Sequence, residues 1–144
     1  MQLIIRKAAV QWNAGAKGDT RVVSTGSGVL KQARYASGIP LQENAVTDPA
    51  ELIAAAHAGS FSLALSRELG LAASVSGNIV TTATVTMEHL AAGWTISNIH
   101  LNIVARLPKM KPSEFIDATV RAKMNCTISR LLRTSISMNS KLEK

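Results

Sequence analysis

The sequence predicts an α+β domain. Three observations carry this: a long apolar stretch between helix start and stop signals, two later stretches in which apolar and polar residues alternate, and the order βββ–α–ββ–α–β in which the elements fall.

Residues 3–12 and 20–25 (LIIRKAAVQW, TRVVST) read as strands joined by the turn-like NAGAKGD at 13–19. STGSGVL, from Ser24 to Leu30, is a Gly/Ser loop leading into a short strand. Its GxG is a weak phosphate signal, because no helix follows to offer an N-terminus. Residues 31–47 lack periodicity and contain Gly38 and Pro40, which suits a surface loop. From Thr47 to Gly70 the chain is helical by every local sign. Asp48 can cap, Pro49 fits the first turn, Glu51 stands at capping-box spacing and Gly70 provides a stop. Alanines and leucines cover nearly its whole circumference, so burial on all sides is expected. Gly59, costly by about 1 kcal/mol mid-helix, suggests a close approach to the backbone.

SGNIVTTATVTMEHL (76–90) alternates Ile79, Thr81, Ala83, Val85 and Met87 against Val80, Thr82, Thr84 and Thr86. GWTISNIHLNIVARL (93–107) alternates Ile99, Leu101 and Ile103 against Asn98, His100 and Asn102. The short AAG link predicts an antiparallel hairpin. PKMKP breaks the strand. A second helix is expected from Ser113 to about Asn125, with Phe115, Ile116, Thr119, Val120 and Met124 as its apolar stripe. A further helical turn or two and a final strand from about Thr134 complete the chain.

With 144 residues and 47% hydrophobic content the chain reads as a single domain, 1–144, with no apolar run near the ~18 residues of a membrane span. The first residues, with Arg6 and Lys7 inside a short apolar stretch, read as a strand and not as a signal peptide. A single cysteine, Cys126, permits no internal disulfide and suits a cytoplasmic location. The net charge of +7 is scattered apart from Lys109, Lys111 and the last residues, and aromatics are only 3%, so a solvated basic surface is favoured over nucleic-acid binding. The three histidines have no metal-ligand spacing, and neither a metal nor a cofactor is expected.

His57 and Ser60, three apart on one helix, invite a hydrolase reading. Mid-helix amides are already bonded and supply no oxyanion hole, so the reading is set aside for partly buried polar residues with local hydrogen bonds. Cys126 alone reads as a small buried hydrophobe; Lys123 and Arg130, a turn to either side, would lower its pKa only weakly.

The stretches VSTGSGVL (23–30), TDPAELIAAAHAGSFSLAL (47–65), TTATVTM (81–87), GWTISNIHL (93–101) and AKMNCTISRLL (122–132) resemble the OsmC/Ohr family of osmotically induced and organic-hydroperoxide-resistance proteins, in the family's order. The resemblance implies an OsmC-like fold: an intertwined homodimer with two central helices packed with antiparallel β-sheets, and active sites at the subunit interface. It implies thiol peroxidase chemistry. A cysteine on the central helix attacks an organic hydroperoxide and becomes a sulfenic acid, a second cysteine closes a disulfide, and an external dithiol reduces it. Cys126 stands at the second, resolving position. The attacking position, in the motif AAHA-x-C-F-S, is Ser60 here, and an alcohol cannot follow sulfur's oxidation chemistry.

Other positions depart as well. The family's T-N-P-E-[EQ]-L has Ala50 where its first carboxylate belongs. Glu51 remains, but at 100° per residue it falls opposite Ser60 and reads better as the capping acid. Pro40 aligns where an active-site arginine is expected, leaving Arg34, Arg21 or Lys17 as substitutes, and Thr127 follows Cys126 where the family has proline. The expected function is therefore a family member that is weak or inactive as a peroxidase, with a site that can hold an organic hydroperoxide or another small apolar ligand. Two alternatives stand beside it: an active hydroperoxide reductase carrying an engineered Cys-to-Ser change at position 60, and a basic protein that holds an anionic partner. Cys126 working alone, oxidised and then capped by a small thiol, is a further possibility.

Overall fold

The computed structural model describes residues 2–13, 20–35, 46–70 and 77–143, and the chain divides into two compact units, Met1–Pro49 and Ala50–Lys144. Lys17, Gly38, Pro40 and most of the predicted 13–19 turn lie outside the described residues.

The first unit is a three-stranded antiparallel sheet, β1 (Ala8–Asn13), β2 (Thr20–Thr25) and β3 (Ala33–Arg34), in that order. Val23 is buried and pairs with Val10 on one side and Ala33 on the other. The first strand starts five residues later than its sequence suggests. Beyond the Ala8↔Thr25 pair, the partner strand turns away at Gly26, whose N–H bonds to Lys7 O at 2.8 Å. Leu3, Ile4 and Ile5 are left outside the ladder, exposed. Gly28, at φ 78°, gives its N–H to Thr25 O. Two of the loop's amides are thus spent on the backbone, which removes the phosphate-cradle reading of STGSG. Residues 31–47, expected as loop, contain β3 and a bridge between Tyr35 and Thr47.

The second unit holds α1 (Pro49–Glu68), β4 (Asn78–Leu90), β5 (Gly93–Arg106), α2 (Pro112–Asn125), α3 (Thr127–Leu131) and β6 (Ser135–Glu143). β4 and β5 form the expected antiparallel hairpin, closing with Leu90 opposite Gly93 at φ 107°. The register puts Ile79, Thr81, Ala83 and Val85 opposite Ala105, Ile103, Leu101 and Ile99. One face of the ribbon is therefore apolar, as the alternation predicts. A bulge at Thr86/Met87 leaves Ser97 without a partner, and Met87, counted with the inward face, is exposed beyond it. β6 joins β5 in parallel, because α2 and α3 carry the chain back across the sheet.

The core forms where α1 and α2 lie against this face: Phe61 and Leu65 from α1, Leu101 and Ile103 from β5, Phe115 and Ala122 from α2, with Cys126. Both helices are covered on one side only. In α1 the buried residues are His57, Phe61, Ala64 and Leu65, a single stripe at helical spacing. Ala55, Ala56, Gly59 and Leu63 are exposed, and a Cβ at Gly59 would meet nothing within 4 Å. The expected burial on all sides, and the close approach at Gly59, are thus absent within one chain. In α2 the buried stripe is Phe115, Ala118, Thr119 and Ala122. Small alanines let that helix sit close to the core, and Ile116, Val120 and Met124 turn outward, contrary to the stripe expected from their apolarity.

Candidate functional site

The polar residues of α1 face elements far away in sequence. Ser62 Oγ donates to Thr81 Oγ1 of β4 at 2.7 Å, which fixes the rotation of α1 over the sheet. At the C-terminal end of α1, Glu68 accepts from Arg121 Nε and Asn125 Nδ2 of α2, each at 2.8 Å. The Arg121 hydrogen bond, then that of Asn125, holds the Glu68 carboxyl below its ordinary range. This clamp draws the end of α2 onto α1, and the next residue is Cys126.

Cys126 has an extended conformation (φ −65°, ψ 121°), ending α2 and starting α3. Its side chain is fully buried. The thiol donates to Ser60 Oγ at 3.3 Å. Positions 60 and 126, 66 residues apart in the chain, are direct neighbours in the structure. Ser60 itself is half-buried, with exposed Gly59 beside it.

Opposing effects act on the sulfur. Burial pushes the Cys126 thiol up; the hydroxyls of Ser129 and Ser60, then the backbone N–H groups of Ser129 and Ile128, pull it down, and the balance lies below an ordinary thiol. These amides face the sulfur without closing a formal capping hydrogen bond. The lowering comes from uncharged donors and not from Lys123 or Arg130, the cations the sequence pointed to.

His57 completes the group. It is fully buried, with Nε2 2.7 Å from Ser129 Oγ. Burial lowers its pKa, which keeps the imidazole neutral. The local hydrogen bonds expected for His57 and Ser60 are replaced by contacts reaching 72 and 66 residues along the chain. Ser129 was missed in the sequence reading. A signal existed: it stands three residues after Cys126, at the third position of α3, where a side chain lies close to the residue that starts the helix.

Glu51 is exposed in the first turn of α1. Arg21 and Arg34 belong to the first unit, Arg21 lying over the Trp12 ring at 5.1 Å and Arg34 closing β3. His89 packs edge-on against Trp94, and His100 bonds to Ser137 and Asn139 on β6. Among the described residues no group of three His, Cys, Asp or Glu side chains could hold a metal ion.

Residues 42–141 match the family model described as OsmC-like protein. A curated relative, "Peroxiredoxin OsmC" of Escherichia coli, is 36% identical over 140 residues, covering 97% of this chain and 98% of its own. Among solved structures, an OsmC-like protein of unknown function from Vibrio cholerae superposes with a TM-score of 0.75 at 15% identity, covering 96% of this chain and 99% of that one. A putative organic hydroperoxide resistance protein from the same organism, with captopril bound in one of its active sites, gives 0.66 at 19% identity, covering 99% of this chain and 93% of that one.

Proposed function

The chain belongs to the OsmC-like family, and from that premise we propose that it is a weak or inactive thiol peroxidase, a paralogue that keeps the family's site and has lost its attacking sulfur. The observation that carries this is the 3.3 Å contact between Ser60 and Cys126. A pair of side chains so close, on α1 and at the start of α3, has the placement of an attacking and a resolving group, with oxygen where the first sulfur belongs. A serine hydroxyl is barely ionised at neutral pH, and oxygen cannot be carried through a sulfenic acid. Cys126 keeps a resolving role with nothing to resolve. Ala50 in place of a carboxylate supports the same conclusion.

On this reading residues 1–144 act as one OsmC-like domain in a cytoplasmic homodimer. The uncovered apolar residues of α1 (Ala55, Ala56, Leu63) and α2 (Ile116, Val120, Met124) support a second copy of the chain as their cover. The site beside Ser60 takes a small apolar ligand. The captopril-bound Vibrio cholerae protein supports this, since a small molecule occupies an active site on the same fold. The test is consumption of an alkyl hydroperoxide by the purified protein with excess dithiol. Turnover at the background rate is expected, and rapid turnover with Ser60 in place would refute the proposal.

A further inference from the structure

The first residues of the chain leave an apolar arm outside the β1–β2 ladder: Leu3, Ile4 and Ile5 are 73%, 69% and 65% exposed. Past the Ala8↔Thr25 pair the arm stays against the turn that follows β2, because Gly26 N–H donates to Lys7 O at 2.8 Å. That turn is closed on itself. Thr25 N–H donates to Leu30 O at 2.9 Å, Leu30 N–H to Thr25 Oγ1 at 3.1 Å and Val29 N–H to Ser27 Oγ at 3.3 Å. These bonds hold Val29 out in solvent, 85% exposed. Residues 5–8 and 25–27 wall a cleft of about 890 Å³ between arm and turn. Four aliphatic side chains gathered at one end of a sheet mark a docking surface.

The charges around them identify the occupant. Arg6 and Lys7 follow the arm directly and Lys31 follows the turn, and none of the three is paired with an acid among the described residues. Residues 1–42 carry six Lys and Arg against a single acid, Asp19. A second copy of a chain with net charge +7 would meet this patch with like charge. Nucleic acid would satisfy the cations but gives Leu3, Ile4 and Ile5 no apolar phase, and neither arm nor turn has an aromatic ring to stack on a base. An anionic bilayer supplies both partners, an acyl boundary for the aliphatic groups and phosphates for the cations. We propose that this end of the first unit is a peripheral membrane-binding surface. Leu3, Ile4, Ile5 and Val29 enter the headgroup–acyl boundary of an anionic bilayer while Arg6, Lys7 and Lys31 hold the lipid phosphates. The protein lies on the membrane without crossing it, since no described helix is long and apolar enough to span one. The surface belongs to the first unit alone and does not depend on the Ser60–Cys126 pair.

The test is co-flotation of the intact protein with vesicles of phosphatidylglycerol and phosphatidylcholine in equal parts, against vesicles of phosphatidylcholine alone. Binding is expected to the anionic vesicles only, and it should weaken as added salt screens the headgroups. Arg6→Gln with Lys7→Gln should lower the affinity about 25-fold, at about fivefold per cation. Ile4→Ser should lower it about tenfold. Lys109→Gln with Lys111→Gln removes the same charge elsewhere and should leave the affinity within about twofold, because the effect of a cation falls off within a Debye length of the surface. All five side chains are exposed, so each variant should fold, and a melting curve checks that it does. No binding to anionic vesicles, equal binding to neutral ones, or equal losses from the two charge pairs overturns the proposal. So does an Ile4→Ser protein that binds like wild type, or one whose sedimentation shows a lost dimer, which would give the arm to a second copy.

Discussion

Replacing Ser60 with cysteine tests the site by putting back the one atom the proposed function says is missing. The present oxygen lies 3.3 Å from the Cys126 sulfur. A disulfide needs about 2.05 Å between sulfurs, so roughly an ångström must be closed, within reach of small side-chain rotations at two helix-borne positions. The bond would span 66 residues, for which the loop-entropy relation gives about 4 kcal/mol, an upper figure because strain in the folded state subtracts from it. For a chain of this size each kcal/mol raises Tm by about 2–4 °C, so an oxidised Ser60→Cys protein should melt up to about 10–15 °C above its reduced form. Wild type should show no such dependence on reductant. The assay is a single turnover: one equivalent of alkyl hydroperoxide added to the reduced variant, followed by thiol counting and a melting curve. The sulfenic acid formed at position 60 should be attacked by Cys126 with release of water, leaving no free thiol. Two thiols still titratable after exposure would refute the reasoning, because they would show that position 60 is not where the peroxide reacts.

Two further perturbations follow from the same unit. Phe61 is fully buried in the core, and Phe61→Ala should lower stability by about 3–5 kcal/mol in urea unfolding at fixed protein concentration; a loss under 1 kcal/mol would contradict its place there. His57 is held neutral, its pKa below the ordinary imidazole value of 6.5, so the unfolded chain binds the extra proton as pH falls through that value. Stability should decline from there down to the folded pKa, by at most about 1.4 kcal/mol per pH unit from this group. His57→Gln should remove that part of the slope between neutral and mildly acidic pH, and an unchanged slope would show that folding does not lower the pKa of His57.

Local signals served the sequence reading well. The hairpin at 78–106 was legible because its alternation repeats over many residues, and the stop of α1 because Gly70 sits at φ 60° where a left-handed residue ends a helix. What failed was the inference from apolar composition to burial. Ile116, Val120 and Met124 are the obvious apolar positions of α2, yet Ala118 and Ala122 are the ones inside. Which side of a helix meets the core depends on the distance to its neighbour, and sequence does not report that distance. The site divides along the same line. Ser60 and Cys126 were found through a motif, whereas Ser129 was not, because its importance comes from a ring 72 residues away.

The pattern of retained and altered residues bears on why the site persists. If packing alone set the surroundings of Cys126, an apolar filler would serve the core at least as well. Instead a fully buried sulfur donates to Ser60, and a buried histidine is held against Ser129 at some cost in desolvation. Buried polar groups of this kind stabilise a fold only while all of them are satisfied, and Nδ1 of His57 has no partner among the described residues. Stability alone therefore does not account for the arrangement. Ser60 is part of this polar group, its hydroxyl accepting the hydrogen bond of the Cys126 thiol at 3.3 Å.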